Sequence, residues 1–89
     1  MSGARFLVVG KVQGVWFRAS AREQALALYL LGFARNLPGG SVEVVAVGED
    51  AALDQFEAWL RVGPELAQVS AVVREPLASS VSFTGFSTL

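Results

Sequence analysis

Gly10-Lys11-Val12-Gln13-Gly14-Val15-Trp16-Phe17-Arg18 separates two stretches of different character, and its reading decides the fold. Before it, Ala4-Arg5-Phe6-Leu7-Val8-Val9 is mostly apolar at both parities, as in a central strand covered at least in part on both faces. After it, from Phe17 to about Tyr29, the chain is rich in helix formers. Ala21, Ala25 and Leu28 fall at i, i+4 and i+7, one face of a helix, while Ser20, Arg22 and Glu23 face water. A glycine-bracketed loop between a strand and a helix is often only a turn. It also has a chemical use. Glycine lets the backbone pass through positive φ and approach a ligand closely. Successive N–H groups then converge as a nest for an anion, and the helix behind adds unpaired N–H groups and the positive end of its dipole. Arg18 brings a permanent positive charge on a planar fork that matches two oxygens of a phosphate.

Working outward, Gly32 to Leu37 reads as a second strand and Pro38-Gly39-Gly40 as a turn. Ser41 to Val47 is a third strand, in which Val42, Val44 and Ala46 alternate with Glu43, Val45 and Val47, so the short turn predicts a hairpin. Gly48-Glu49-Asp50 opens a second helix that runs to about Val62. Acidic residues suit its first turn. Leu53, Phe56 and Leu60 mark its buried stripe, with Ala52 and Trp59 beside it, and Gly63-Pro64 stops it. Val69 to Glu75 is a fourth strand and Val81 to Phe86 a short last one, interrupted by Gly85. The order is β-α-β-β-α-β plus a weak terminal strand. It predicts an α+β, ferredoxin-like split βαβ sandwich: an antiparallel sheet with two helices on one face. Eighty-nine residues suit a single domain, 1–89, and no repeat or linker divides them.

Composition bounds the chemistry. There is no cysteine, so neither a disulfide framework nor a thiolate zinc site is possible. There is no histidine, which removes the commonest metal ligand and the commonest general base. Catalysis must use carboxylates, Lys11, arginines, hydroxyls, amides or the backbone, and a nucleophile triad has no base to build on. The net charge of −1 disfavours a long polyanion such as nucleic acid but leaves room for one local positive site. The N-terminal residues lack the apolar core of a signal peptide. The longest apolar stretch, Ala25 to Ala34, contains Gly32 and is too short to span a bilayer. The expectation is a cytoplasmic protein without a membrane partner.

The loop resembles the active-site signature of the acylphosphatase family. That signature reads Gly, any residue, Val, Gln, Gly, Val, any residue, Phe, Arg, and Gly10 to Arg18 matches every fixed position. Gly32-Phe33-Ala34-Arg35-Asn36-Leu37-Pro38 resembles the second signature, in which glycine, an aromatic, a small apolar residue, any residue and asparagine recur. The run Phe56 to Pro64 also looks like the family at this place. Two positions depart from the pattern. Tyr29 stands where the family ends its first helix with glycine, and Gly39 stands where it often has aspartate. The resemblance implies hydrolysis of acyl phosphates to a carboxylate and inorganic phosphate. Arg18 would bind the phosphoryl group, backbone N–H groups of Lys11, Val12, Gln13, Gly14 and Val15 would cradle its oxygens, and Asn36 would orient the attacking water. It implies that Arg18 and Asn36 face one small cavity, with the first and second strands side by side in the sheet interior. It implies a stand-alone monomer acting on a small molecule, with no metal and no cofactor.

Each residue also has a plainer reading. Asn36 before a Pro-Gly-Gly turn is ordinarily turn chemistry. Gln13 hydrogen-bonds the loop into shape, Lys11 is solvated, Phe17 packs in the core and Trp16 flanks the cavity mouth. Arg35 points to the sheet face opposite Asn36, because side chains alternate. Glu43, Glu49, Asp50 and Glu57 read as solvated surface, and Ser79-Ser80 as a loop. The alternative function is a non-catalytic module that binds phosphate or carbamoyl phosphate, as in acylphosphatase-like domains within hydrogenase maturation factors. A single-strand RNA-binding domain on the same scaffold could use Phe6 and Phe33 for stacking, but it needs a basic face that the charge balance denies.

Overall fold

A computed structural model describes residues 1–77 and 81–89. The elements are β1 (Ser2–Lys11), α1 (Phe17–Ala27), β2 (Leu31–Asn36), β3 (Val42–Gly48), α2 (Asp50–Leu60), β4 (Gln68–Pro76) and β5 (Phe86–Thr88). The five strands form one sheet in the order β4-β1-β3-β2-β5. The first four pair antiparallel, while β5 joins the edge beside β2 in parallel. The sheet is therefore mixed rather than wholly antiparallel, on the expected α+β plan. β1 and β2 do not lie side by side, because β3 runs between them. No helix of the described residues is long and apolar enough to cross a membrane.

Strand alternation sorts the side chains. In the register Ala4↔Ala46, Phe6↔Val44 and Val8↔Val42, one face of β1 and β3 is apolar and buried. Ala34 of β2 and Val72 of β4 continue this face under the helices. Phe17, Ala21 and Ala25 of α1 and Leu53, Phe56 and Leu60 of α2 close the core from above. The stripes fall as the sequence spacing requires. Phe56 meets Phe6 edge to face at 5.9 Å and Phe86 at 6.1 Å, and the ring of Trp59 lies parallel to it at 6.4 Å.

Two expectations for single residues and strands are corrected. The last strand is not Val81 to Phe86 but the three residues of β5. Phe83 instead packs edge to face on Phe33, 5.9 Å away, from the connection that precedes the strand. Ser79-Ser80 lies outside the described residues. Glu43 is not solvated: it is 7% exposed on the sheet face away from the helices. That position is covered because Arg5 of β1 and Arg35 of β2 both donate to its carboxylate from the flanking strands. Burial alone would raise the Glu43 pKa. The two arginine hydrogen bonds and charges outweigh it and hold the carboxyl below its ordinary value. Tyr29 closes α1. It takes the left-handed conformation, φ 58°, that glycine usually takes there. The N–H of Leu30 donates to Ala25 O at 2.8 Å and that of Tyr29 to Leu26 O at 3.1 Å, the bond pair of a Schellman cap.

Candidate active site

The loop begins with a dislocation. The β1–β4 register shifts between Val9 and Gly10, and Gly10 has φ 135°. A Cβ on Gly10 would lie 2.2 Å from Gln68 O, so only glycine lets β4 approach at this point. Lys11 remains in the ladder opposite Gln68, with its residue exposed. Val12 and Val15 then turn into the core and anchor the loop from below. Gly14, φ 74°, and Trp16, φ 64°, both adopt left-handed backbone. Among the described residues, the main-chain N–H groups of Val12 to Trp16 donate to no main-chain oxygen. Unpaired amides at a strand-to-helix junction form a concavity that suits an anion.

Charge points the same way. The first turn of α1 has no acidic residue to neutralise its dipole, and it carries Arg18. A cation at a helix N-terminus is unfavourable in isolation. An anion bound there satisfies both partial charges. The Arg18 guanidinium donates to the main-chain oxygen of Leu89, and one turn later Arg22 donates to Phe86 O at 2.9 Å. The two arginines thus hold β5 against α1.

A cleft of about 350 Å³ opens here, bordered by Val12, Gly14, Trp16, Arg18, Asn36 and Thr88 among others. Arg18, from the first turn of α1, and Asn36, from the end of β2, come together in it. Of the predicted loop residues, Val12 and Gly14 border the cleft, and Lys11, Gln13 and Val15 are not among its lining residues. Trp16 stands at the mouth, 78% exposed. Phe17 is buried and packs on Trp59 at 5.6 Å. Arg35 points to the opposite face, toward Glu43. One contributor was invisible in the sequence. Thr88 borders the cleft because β5 falls later than predicted, and no periodic signal marks three residues. Gln13, read in the sequence as a residue that hydrogen-bonds the loop into shape, reaches the β2–β3 hairpin with its side chain. Among the described residues, no group of three or more acidic side chains is placed to hold a metal ion.

A sequence model of the acylphosphatase family matches residues 4–88. An acylphosphatase of Xanthomonas oryzae pv. oryzae is 62% identical over 78 residues, 88% of this chain and 89% of that one. One from Methylococcus capsulatus is 46% identical across 100% of this chain and 97% of its own. The crystal structure of acylphosphatase from Bacillus subtilis superposes with a TM-score of 0.96 at 30% identity, covering 100% of this chain and 99% of that one. With the strand-to-helix loop, the arginine and the asparagine disposed around one cleft, these matches show that the chain belongs to the acylphosphatase family.

Proposed function

We propose that the chain hydrolyses the carboxyl–phosphate bond of acyl phosphates by in-line attack of water, without a metal ion. One observation carries the reading: Arg18 and Asn36 border the same cleft as a loop whose amides are unspent. In phosphoryl transfer the protein chiefly positions the reactants and stabilises charge on the phosphoryl oxygens. Arg18 and the amides of the loop, which we take from Lys11 through Val15, hold those oxygens. Asn36 holds the water in line with the bond to the acyl oxygen. The phosphorus–oxygen bond to water forms as the bond to the acyl group breaks, and the electron pair leaves with the carboxylate. Carboxylate is a good leaving group, so no strong general acid is needed and the absence of histidine is no obstacle. The water's proton passes to a phosphoryl oxygen of the substrate. Arg18 and the amides supply the positive potential that a metal supplies in other phosphoryl-transfer sites. The same reading takes the protein as a cytoplasmic monomer acting on a freely diffusing small molecule.

The test is hydrolysis of an aryl acyl phosphate, followed by ultraviolet absorbance in the presence of a chelator. The parent, Arg18→Ala and Asn36→Ala are compared, with folding checked by circular dichroism. The parent turns over with metal removed, and each folded variant loses about a hundredfold or more, the scale of removing one preorganised donor. A parent that binds phosphate through Arg18 without turnover is a binding module instead. Full activity in Asn36→Ala assigns the water to another group.

A further inference from the structure

We infer that Gln13 is a positioning residue for Asn36, acting through its side-chain amide. This rests on the role proposed for Asn36 above. Gln13 Nε2 donates to Leu37 O at 2.8 Å and to Ser41 O at 2.9 Å. Leu37 directly follows Asn36, and Ser41 O also accepts the Leu37 N–H at 2.8 Å. Both protons of one planar NH2 group are therefore spent across the base of the β2–β3 hairpin. Their directions are fixed by the amide plane, so the hairpin's two legs and the loop form one braced unit. Among the described residues, these are the only side-chain hydrogen bonds between the loop and the hairpin.

The brace is needed where it stands. Asn36 is the last residue of β2 and exposed, and the turn after it contains Gly39 and Gly40 at φ 94° and 106°. Neither glycine has a neighbour within 4 Å of the position a Cβ would take, so packing does not hold the turn. Val12 and Val15, by contrast, fix the loop to the core. Gln13 thus transmits the loop's rigid position to the asparagine that faces the bound phosphoryl group. Arg18 sits on α1, ties to Leu89 and is independent of this brace. Loss of the amide should therefore displace the water without weakening the anion site.

The experiment compares Gln13→Met, which keeps length and loses both donors, in the parent and in Asn36→Ala, measuring kcat, KM and inhibition by inorganic phosphate. In the parent, kcat falls by about tenfold to a hundredfold, the cost of misplacing a reactant by a fraction of an ångström to an ångström, while KM and phosphate inhibition change by less than about threefold. In Asn36→Ala the same substitution lowers kcat further by less than about twofold, because coupled residues are not additive. Gln13→Glu regains one donor on protonation, so its kcat relative to the parent rises as pH is lowered, whereas that of Gln13→Met does not. If Gln13→Met does not fold, Gln13→Asn, one methylene too short to span the gap, takes its place. Parental kcat in the folded variant overturns the inference. So does an equal loss in both backgrounds, or weakened phosphate inhibition with kcat intact. Full activity in Asn36→Ala alone is a different failure: it removes the proposed role of Asn36, and this inference falls with it.

Discussion

Tyr29 holds a backbone conformation that suits it poorly. Its φ of 58° closes the Schellman cap of α1, and its side chain is 89% exposed, so little packing offsets the left-handed geometry. Left-handed backbone costs an L residue roughly 1–2 kcal/mol, part of which glycine returns through its greater freedom when unfolded. Tyr29→Gly should stabilise the protein by about 0.5–1 kcal/mol in urea denaturation, and Tyr29→Ala should gain nothing. Gly32 is the opposite case. With φ 146°, a Cβ there would lie 1.9 Å from Val45 O on the neighbouring strand. Gly32→Ala should cost about 3 kcal/mol or more, read as a fall in the urea midpoint, because β2 must move away from β3. The sequence exposed both positions, one as a departure from the glycine pattern and one as part of the second signature. It did not show how each is resolved, because strain depends on the φ that the surrounding fold imposes.

At the scale of elements, the alternation of β3 correctly assigned Glu43 to the face away from the helices but not its burial. Period two reports the side of a sheet, not how crowded that side is. The crowding comes from Arg5 and Arg35, far apart in sequence and brought across from β1 and β2. Because the folded pKa of Glu43 is depressed, its contribution is present above the unfolded value and lost as pH falls through the folded one. Glu57 behaves alike, lowered by hydrogen bonds from Arg61 and Arg74 that outweigh its burial. Glu43→Gln should lower stability at neutral pH by about 1–2 kcal/mol, less than for a fully buried pair because both arginines are partly solvated. Thermal melts from about pH 6 to about pH 3 should show a flatter acid decline in the variant than in the parent. An unchanged slope would mean that Glu43 titrates normally. The misplaced last strand has a similar origin. Val81 and Phe83 carry the stronger apolar signal, but Phe83 is used to cover Phe33, and only Phe86 of β5 is buried.

For the whole molecule, the sequence of elements was legible because helices and hairpins are written in local periodicity. The lateral order of the strands was not, since nothing local states that β3 separates β1 from β2. The cleft was legible as a pair of signatures, and only the tertiary arrangement shows how they meet. Phe56 joins these parts, touching Phe6 of β1 and Phe86 of β5 from α2. Phe56→Ala should cost about 3–5 kcal/mol, a large share of the roughly 5–15 kcal/mol typical of such proteins, and should be seen as a lower urea midpoint. Phe56→Leu, which leaves a smaller cavity, should cost markedly less.

The placement of β1 has a further consequence for biosynthesis. β1 pairs with residues 42–48 on one side and 68–76 on the other. The strand that leads into the loop precedes both of its neighbours in the chain, and β4 lies more than fifty residues after it. While the chain is being translated, residues 2–11 wait with one hydrogen-bonding edge open until residues 68–76 emerge from the ribosome. Such distant pairing is slow to form and exposes unpaired strand to neighbouring chains in the interval. Arg18 and Asn36 are both synthesised before the midpoint, yet their cleft is completed by Thr88. Activity should therefore appear late and abruptly, only once β5 has left the ribosome and paired with β2.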